Sequence, residues 1–244
     1  MRKVVSIVCC ALGLVACDKH DPILPGVRTA VFQDTQVIVQ NKSITDTSLS
    51  EIVIDNSKCP YSQDSLNTIW EEDKKIFSGF PTSDTVSANR RPVCSGQYLY
   101  AGLTTGEVIK INPKTRKIAW IADVYRASNL TGGSSTVDIV APIIPYGKWV
   151  YAGGLGDAFC KISAATGDKK WCLDIGVAVP FVLTEKYAFV VGTDNYLYAI
   201  ETASGDVYWR TLIESAQQPV LQNNLIIVDN ESINLENGKK ILDK

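Results

Sequence analysis

The stretch that decides the fold is Ala141–Trp171, which reads APIIPYGKWVYAGGLGDAFCKISAATGDKKW. It contains an apolar run, a Gly/Asp turn, a second apolar run, a polar turn and a closing tryptophan. The same order recurs in three other segments, each with a proline near its start: Arg91–Trp120, Val179–Trp209 and Gln218–Leu242. A recurrence of roughly 40 residues with about four short strands is typical of a β-propeller blade. We therefore predict an all-β chain built from four-stranded blades.

The strands of one repeat can be assigned from its turns. Gly and Asn/Pro turns divide the first repeat into Val93–Ser95, Tyr98–Gly102, Val108–Ile111 and Ile118–Ala122. Elsewhere the apolar runs are continuous, as in Trp149–Ala152. A continuous run predicts a strand that is buried on both faces, as between two adjacent blades.

Three tryptophans stand at equivalent positions. Trp120, Trp171 and Trp209 follow a repeat glycine by 18, 18 and 17 residues. The near-constant offset indicates one shared structural role. We predict that each ring packs across the gap to the next blade, where burial of an aromatic contributes a few kcal/mol. The alternative is a platform on which a ligand stacks.

The cysteines leave one pairing open. Cys160 and Cys172 flank a hairpin centred near Thr166, so they are expected on facing strands. They form either a disulfide or two buried thiols, since facing strands often lack the geometry of a disulfide. The chain has no CxxC pair and no Cys/His spacing typical of zinc sites, so we predict no metal site.

The first residues resemble an export signal. Residues 1–16 begin with Arg2 and Lys3 and continue with an apolar run well short of the ~20 residues of a membrane span. Leu14–Cys17 resembles a bacterial lipobox, which makes Cys17 the predicted lipid attachment site. The alternative is an ordinary signal peptide with an incidental cysteine. We predict a lipid-anchored tether over residues 17–30 and a repeat domain over residues 31–244.

The segment before the first full repeat is less regular. Val31–Gln40 and Ser50–Asp55 have the composition of strands, and Trp70 resembles the end of an incomplete blade. Residues 126–138 form a long polar insertion between the first two repeats. Such an insertion is either a contact site or a mobile loop.

Charge and histidine content restrict the function. Loss of Arg2 and Lys3 with the signal changes the net charge from −2 to −4, and no basic stripe is visible in the sequence. We therefore expect no nucleic-acid partner. The only histidine, His20, lies three residues from Cys17, so histidine-based catalysis is effectively excluded. We predict that the chain is not an enzyme, with no catalytic, metal or cofactor-binding residue.

Two repeat endings resemble a known family. Lys161–Trp171 and Tyr198–Trp209 look like the A-x-D-x-x-T-G-x-x-x-W motif of PQQ-like propeller repeats. Arg116 replaces the motif glycine in the first repeat, and Leu242 replaces the tryptophan in the last. Asp21–Arg28 is in addition similar to the mature start of BamB lipoproteins. Thr193–Ile200 is also similar to BamB lipoproteins.

The BamB resemblance implies a function and a place. It implies a non-catalytic scaffold lipoprotein of the outer-membrane β-barrel assembly machinery, which docks on POTRA domains of a BamA-like subunit and assists unfolded outer-membrane proteins. The expected location is the outer membrane, facing the periplasm; Asp18 leaves the inner membrane as an alternative. Other readings are a PQQ-dependent periplasmic oxidoreductase and a propeller module that binds another envelope protein.

The number of repeats departs from the family. BamB propellers have eight blades, whereas this sequence holds four repeats and an incomplete fifth. We therefore expect about four to five blades in an incomplete or open ring. A shortened propeller and a ring completed by a second copy are both consistent with this count, and the second implies self-association.

Overall fold

The computed structural model describes residues 37–46, 48–82, 91–125 and 136–241. Residues Thr35–Lys244 form one compact unit. The described residues form strands and turns but no helix, and so no helix long and apolar enough to cross a membrane. Several predicted features lie outside the described residues: the signal peptide, the tether with Cys17 and His20, Leu242 and most of the polar insertion.

Five antiparallel sheets follow one another along the chain, here called blades I to V. Blade I has three strands: β1 (Tyr61–Gln63), β2 (Thr68–Glu71) and β3 (Lys74–Ser78). Blade II has four: β4 (Val93–Ser95), β5 (Tyr98–Gly102), β6 (Glu107–Asn112) and β7 (Lys117–Asp123). Blade III comprises β8 (Ile144–Tyr146), β9 (Trp149–Gly154), β10 (Ala158–Ser163) and β11 (Lys169–Leu173).

The last two blades repeat this arrangement. Blade IV comprises β12 (Val182–Leu183), β13 (Tyr187–Val191), β14 (Tyr196–Glu201) and β15 (Val207–Leu212). Blade V comprises β16 (Pro219–Gln222), β17 (Leu225–Val228), β18 (Glu231–Asn234) and β19 (Lys240–Ile241). The prediction of an all-β chain with four four-stranded repeats and one incomplete blade is confirmed.

The prediction that Trp70 ends the incomplete blade is wrong. In blade II, Trp120 of the last strand faces Lys110, next to a bulge. In blade I, the corresponding bulge lies between Ile69 and Trp70, and Phe77 of the last strand faces Ile69. Phe77 therefore occupies the position of the repeat tryptophans, and Trp70 lies one strand earlier. Both strands carry an aromatic residue, so composition did not distinguish them.

The described parts of the two irregular segments at the start of the fold do not form sheet strands of their own. Within the described part of Val31–Gln40, only Val39 makes a β-bridge, a parallel one to Val207. Ser50–Asp55 has no assigned strand, and the Ile52 N–H donates to the Leu183 carbonyl over 2.7 Å. We call residues 51–56 the strap, because they cross from the inner strand of blade IV to that of blade II.

The hydrophobic core lies between adjacent blades rather than within any one of them. Along β14, Leu197 and Ala199 pack with blade V, whereas Tyr198 and Ile200 pack with blade III. Side chains alternate across a strand, so each continuous apolar run serves two cores at once. Fully burying one such aliphatic side chain contributes about 1.5–3 kcal/mol.

The stack of blades has two different ends. At the turn end, the turn between the first two strands of a blade lies beside the turn between its last two; for example, the Ala164 N–H donates to the Lys148 carbonyl over 2.9 Å. At the connection end, the remaining turn of each blade lies beside a connection between blades; for example, the Thr193 N–H of blade IV donates to the Gly176 carbonyl in the connection from blade III.

Candidate functional site

Each repeat tryptophan is placed against the next blade at the turn end. The indole Nε1–H of Trp120 donates to the Ala164 carbonyl over 3.2 Å, and that of Trp171 to the Thr202 carbonyl over 3.2 Å. Trp209 donates to the Leu235 carbonyl over 3.1 Å. The acceptor in each case belongs to the turn of the following blade, which supports the packing role over a ligand platform.

Each tryptophan ring packs against a glycine of the next blade. A Cβ atom added at Gly205 would lie 2.9 Å from the ring of Trp171, and one at Gly167 would lie 2.8 Å from that of Trp120. Both glycines have a positive φ, +86° and +83°, which side-chain-bearing residues rarely adopt. The T-G-x-x-x-W pattern therefore marks a contact between two blades, because its glycine leaves space for the tryptophan ring of the preceding blade.

Two buried lysines reinforce the same junctions. Lys110 Nζ donates to the Ala164 carbonyl over 2.5 Å, and Lys161 Nζ to the Thr202 carbonyl over 2.6 Å. These are the carbonyls that also accept from Trp120 and Trp171. Lys161 lies over the Trp149 ring at 4.5 Å, a favourable cation–π contact. Burial, and secondarily the charge of Lys170, lowers the pKa of the Lys161 ammonium.

The repeat pattern did not predict a role for these two lysines, although their position in the sequence indicates one. Each lies ten residues before its tryptophan, in the middle of an otherwise apolar strand. A charged residue at such a position is expected to be paired or hydrogen-bonded. The corresponding residue of blade IV is Ala199, so the junction between blades IV and V has the tryptophan but no such lysine.

The junction between blades I and II is built differently. It has Phe77 in place of the tryptophan, and Arg116 in place of the glycine. A disulfide between Cys59 and Cys94 joins the two blades instead. Sequence analysis left these two cysteines unassigned because they lie 35 residues apart, in segments with no recognisable hairpin between them.

Polar side chains add to the same junction. Asn67 is buried, donates from Nδ2 to Thr104 Oγ1 over 2.7 Å, and accepts the Thr104 N–H over 2.9 Å. The Asn56 side chain likewise donates to the Pro92 carbonyl and accepts the Cys94 N–H. Blade II is therefore bonded on one side by an amide network and a disulfide, and on the other by a tryptophan and a lysine.

Cys160 and Cys172 face each other on β10 and β11. Their Sγ atoms are 2.02 Å apart, as in a disulfide, within blade III and next to Trp171. Cys160 is buried in the core between blades II and III. This cross-link stiffens the outer hairpin of blade III, the blade that holds a tryptophan junction on each side.

A cavity of about 450 Å³ lies along the axis, where the inner strands of blades II to IV converge beneath the strap. Its wall is mainly aliphatic and includes residues 139–144, Pro180 and Phe181. Glu51 and Arg91 are its charged lining residues, and burial raises the pKa of the Glu51 carboxyl. Gln63 donates from Nε2 to the Gly102 carbonyl over 2.7 Å.

This cavity does not match a calcium–quinone site. Calcium takes six to eight oxygen ligands, several of them carboxylates. Within residues 37–46, 48–82, 91–125 and 136–241, no three His, Cys, Asp or Glu side chains are grouped so that they would hold a metal ion. The cavity itself offers a single carboxylate, that of Glu51.

At the axis, the backbone groups on the edges of the inner strands are largely bonded, whereas one outer strand edge pairs with another segment of the chain. Ile52 and Asn56 of the strap bond to the inner strands of blades IV and II, and Pro145 in β8 has no N–H to offer. At the outer edge of blade IV, the Gln40 N–H donates to the Val207 carbonyl over 2.8 Å. An outer edge of this fold therefore already accepts an extended segment of the chain.

Comparison with known proteins supports this architecture. No curated protein sequence matches the chain significantly. The structure is similar to that of BamB from Moraxella catarrhalis, with a TM-score of 0.52 and 12% identity. The match covers 80% of this chain and 66% of that one, so the chain spans slightly less than two thirds of that relative.

Two dehydrogenases have lower TM-scores. Quinohemoprotein alcohol dehydrogenase from Comamonas testosteroni has 19% identity and a TM-score of 0.39, over 49% of this chain and 20% of that one. A europium-containing methanol dehydrogenase has 13% identity and a TM-score of 0.41, over 49% and 24%. Likeness at these scores supports no functional conclusion.

The family model described as outer membrane protein assembly factor BamB matches residues 25–234. That range includes all five blades except the last strand of blade V, and it contains Trp120, Trp171 and Trp209 with Gly167 and Gly205, whereas Gly238, against which Trp209 packs, lies beyond it. The chain therefore belongs to the BamB family of outer-membrane protein assembly factors.

Proposed function

We propose that this protein is a non-catalytic scaffold of the outer-membrane β-barrel assembly machinery. In this proposal it is lipid-anchored through Cys17, faces the periplasm, docks on POTRA domains of a BamA-like subunit and assists unfolded outer-membrane proteins. The observation that carries the proposal is the family match over residues 25–234, reinforced by a stack of blades that tryptophans join to one another. Such a stack presents a fixed surface to partners, which a scaffold requires.

The proposed mode of client binding is strand addition at an outer edge. The edge of β7 is the longest of the outer strands, with seven residues, and Ile118 and Ile121 are exposed along it. Main-chain bonds at a sheet edge provide affinity for an extended segment largely independently of its sequence. The bond from Gln40 to Val207 in blade IV is an intramolecular example of the same contact.

Binding to POTRA domains is the first experiment. The chain from Asp18 onward, without its acyl group, is titrated against the periplasmic POTRA domains of the same organism, and we expect saturable binding. The control is a propeller of unrelated sequence at equal concentration. A folded, monodisperse sample that does not bind would remove the POTRA partner and leave a module for another envelope protein.

Client binding has its own readout. With an added peptide from an outer-membrane β-strand, we expect slower hydrogen exchange at the backbone amides of β7. Ile121→Lys is expected to abolish this protection, whereas Leu212→Lys, an equally exposed change on β15, is expected to retain it. Unchanged exchange in β7 at saturating peptide would contradict strand addition at this edge.

The enzymatic alternative is tested separately. The donor set of the axial cavity does not match calcium-bound quinone, so we expect neither tight PQQ binding nor dye-linked oxidation of alcohols by the chain supplied with PQQ and calcium. Stoichiometric PQQ binding would overturn the non-catalytic assignment.

A further inference from the structure

The turn end of blades II and III is basic, although the neighbouring turn of blade I at that end carries Glu72 and Asp73, whereas the connection end is acidic. At the turn end, the turns of blades II and III hold six exposed cations, which we call the basic patch: Lys114, Arg116, Lys117, Lys148, Lys169 and Lys170. A single carboxylate, Asp168, accompanies them in these turns, and it accepts a hydrogen bond from Thr166. None of the six cations forms an ion pair with a carboxylate among the described residues.

The folding of the two blades brings these cations together. Trp120 of β7 packs on Gly167, so the outer strand of blade II lies against the turn of blade III. The Ala164 N–H bonds to the Lys148 carbonyl, which places the two turns of blade III side by side. The patch is therefore a property of the tertiary structure, although its members are spread over 57 positions of the sequence.

The connection end has the opposite character. Its described turns and connections carry ten carboxylates at or next to them: Asp64, Glu107, Asp123, Asp138, Asp157, Asp174, Asp194, Glu214, Asp229 and Glu231. Arg91 is the only cation in the described turns and connections of that end. The basic residues of blades II and III are therefore concentrated at one end of these blades, although the net charge of the chain is small. Beside an anionic surface, such an asymmetry favours one orientation.

The chain also enters the fold at the turn end. Lys42 Nζ is 3.3 Å from the Asp206 carboxylate, Asp46 is 2.6 Å from Lys186 Nζ, and the Ile44 N–H donates to the Glu236 carbonyl. All three partners belong to turns of blades IV and V at that end. Twenty positions separate Cys17 from Val37, and such a length spans up to about 70 Å when extended. An anchor of that length does not by itself select an orientation.

We propose that the basic patch binds the anionic headgroups of the membrane surface and holds the protein with its turn end toward the bilayer. The acidic connection end then points away from the membrane, and the outer edge of β7 stands roughly upright between the two. This inference goes beyond the assembly role. It requires only that the protein lies beside an anionic membrane, so it survives if POTRA binding fails.

The test uses the chain from Asp18 onward, without its acyl group, and co-sedimentation with lipid vesicles. We expect binding to vesicles of mixed phosphatidylglycerol and phosphatidylcholine at low salt, loss of binding at high salt, and none to pure phosphatidylcholine. Each basic residue near an anionic bilayer contributes about fivefold to binding. Lys117→Gln/Lys169→Gln/Lys170→Gln is therefore expected to weaken binding about tenfold to hundredfold.

A matched variant keeps the test specific. Arg91→Gln/Arg210→Gln/Lys240→Gln removes the same number of exposed cations outside the patch and is expected to change binding less than about threefold, since charges away from the membrane-facing turns are screened over about 10 Å. As an orientation readout, vesicles are expected to protect Lys117, Lys169 and Lys170 from acetylation but not Lys240. Equal losses in the two variants, or no binding to anionic vesicles at low salt, would overturn the proposal.

Discussion

Trp209→Ala is expected to lower the free energy of unfolding by about 3–5 kcal/mol, the usual cost of truncating a buried tryptophan. The Trp209 ring is buried between blades IV and V, contacts Phe189 at 6.0 Å between ring centroids, and covers Gly238. Sheet hydrogen bonds fix the surrounding backbone, so the cavity is expected to remain open rather than collapse. Urea unfolding followed by tryptophan fluorescence and circular dichroism measures the change.

Trp70→Ala is the control for this prediction. Trp70 is half-buried and donates its indole N–H to Asp64 of its own blade over 3.1 Å, rather than to a turn of the next blade. We expect a loss of about 1 kcal/mol. Trp209→Phe keeps an aromatic ring but removes the bond to the Leu235 carbonyl and should lie between the two. Equal losses for Trp209→Ala and Trp70→Ala would show that the junction tryptophan has no special role.

Removal of the Cys59–Cys94 disulfide, in Cys59→Ser/Cys94→Ser, is expected to cost about 4 kcal/mol. Closing a loop of 35 residues removes about that much chain entropy from the unfolded state. The effect is expected to be concentrated in blade I, since the junction of blades I and II has neither the tryptophan nor the glycine found elsewhere. Hydrogen exchange should therefore accelerate in β1 to β3 and stay slow in β13 and β14.

Cys160→Ser/Cys172→Ser provides the comparison. Its loop spans 12 residues, so the expected cost is about 3 kcal/mol, and faster exchange should be confined to β10 and β11. Blade III keeps a tryptophan junction on each side and should not separate. If the Cys59/Cys94 variant exchanged faster throughout the chain rather than in blade I, the blades would unfold as one cooperative unit.

Most of the fold was predictable because its signals are local. The recurrence of apolar run, turn and closing tryptophan in Arg91–Trp120 and its counterparts fixed the blades, and two of the four strands of that repeat have the predicted bounds. The constant offset of Trp120, Trp171 and Trp209 indicated packing between blades. The first blade was less predictable, because Trp70 and Phe77 both suit a strand and only the register separates them.

The candidate sites depended more on tertiary structure. The partners of the tryptophans are carbonyls and glycines one repeat further along, such as Thr202 and Gly205 for Trp171. The partner of Cys59 lies 35 residues away. Local pattern does not encode such distances, because the blades must first stack before these atoms meet.

By itself, the sequence determined the class of fold, the number of repeats and the resemblance to BamB, since alternation, turn chemistry and recurrence act over a few residues. The tertiary structure alone decided which carbonyl Lys161 shares with Trp171, which cysteines pair at blade I, and how six separate cations form one surface. These features arise when side chains from different blades come into contact, and contact between blades depends on their stacking rather than on the order of residues within each one.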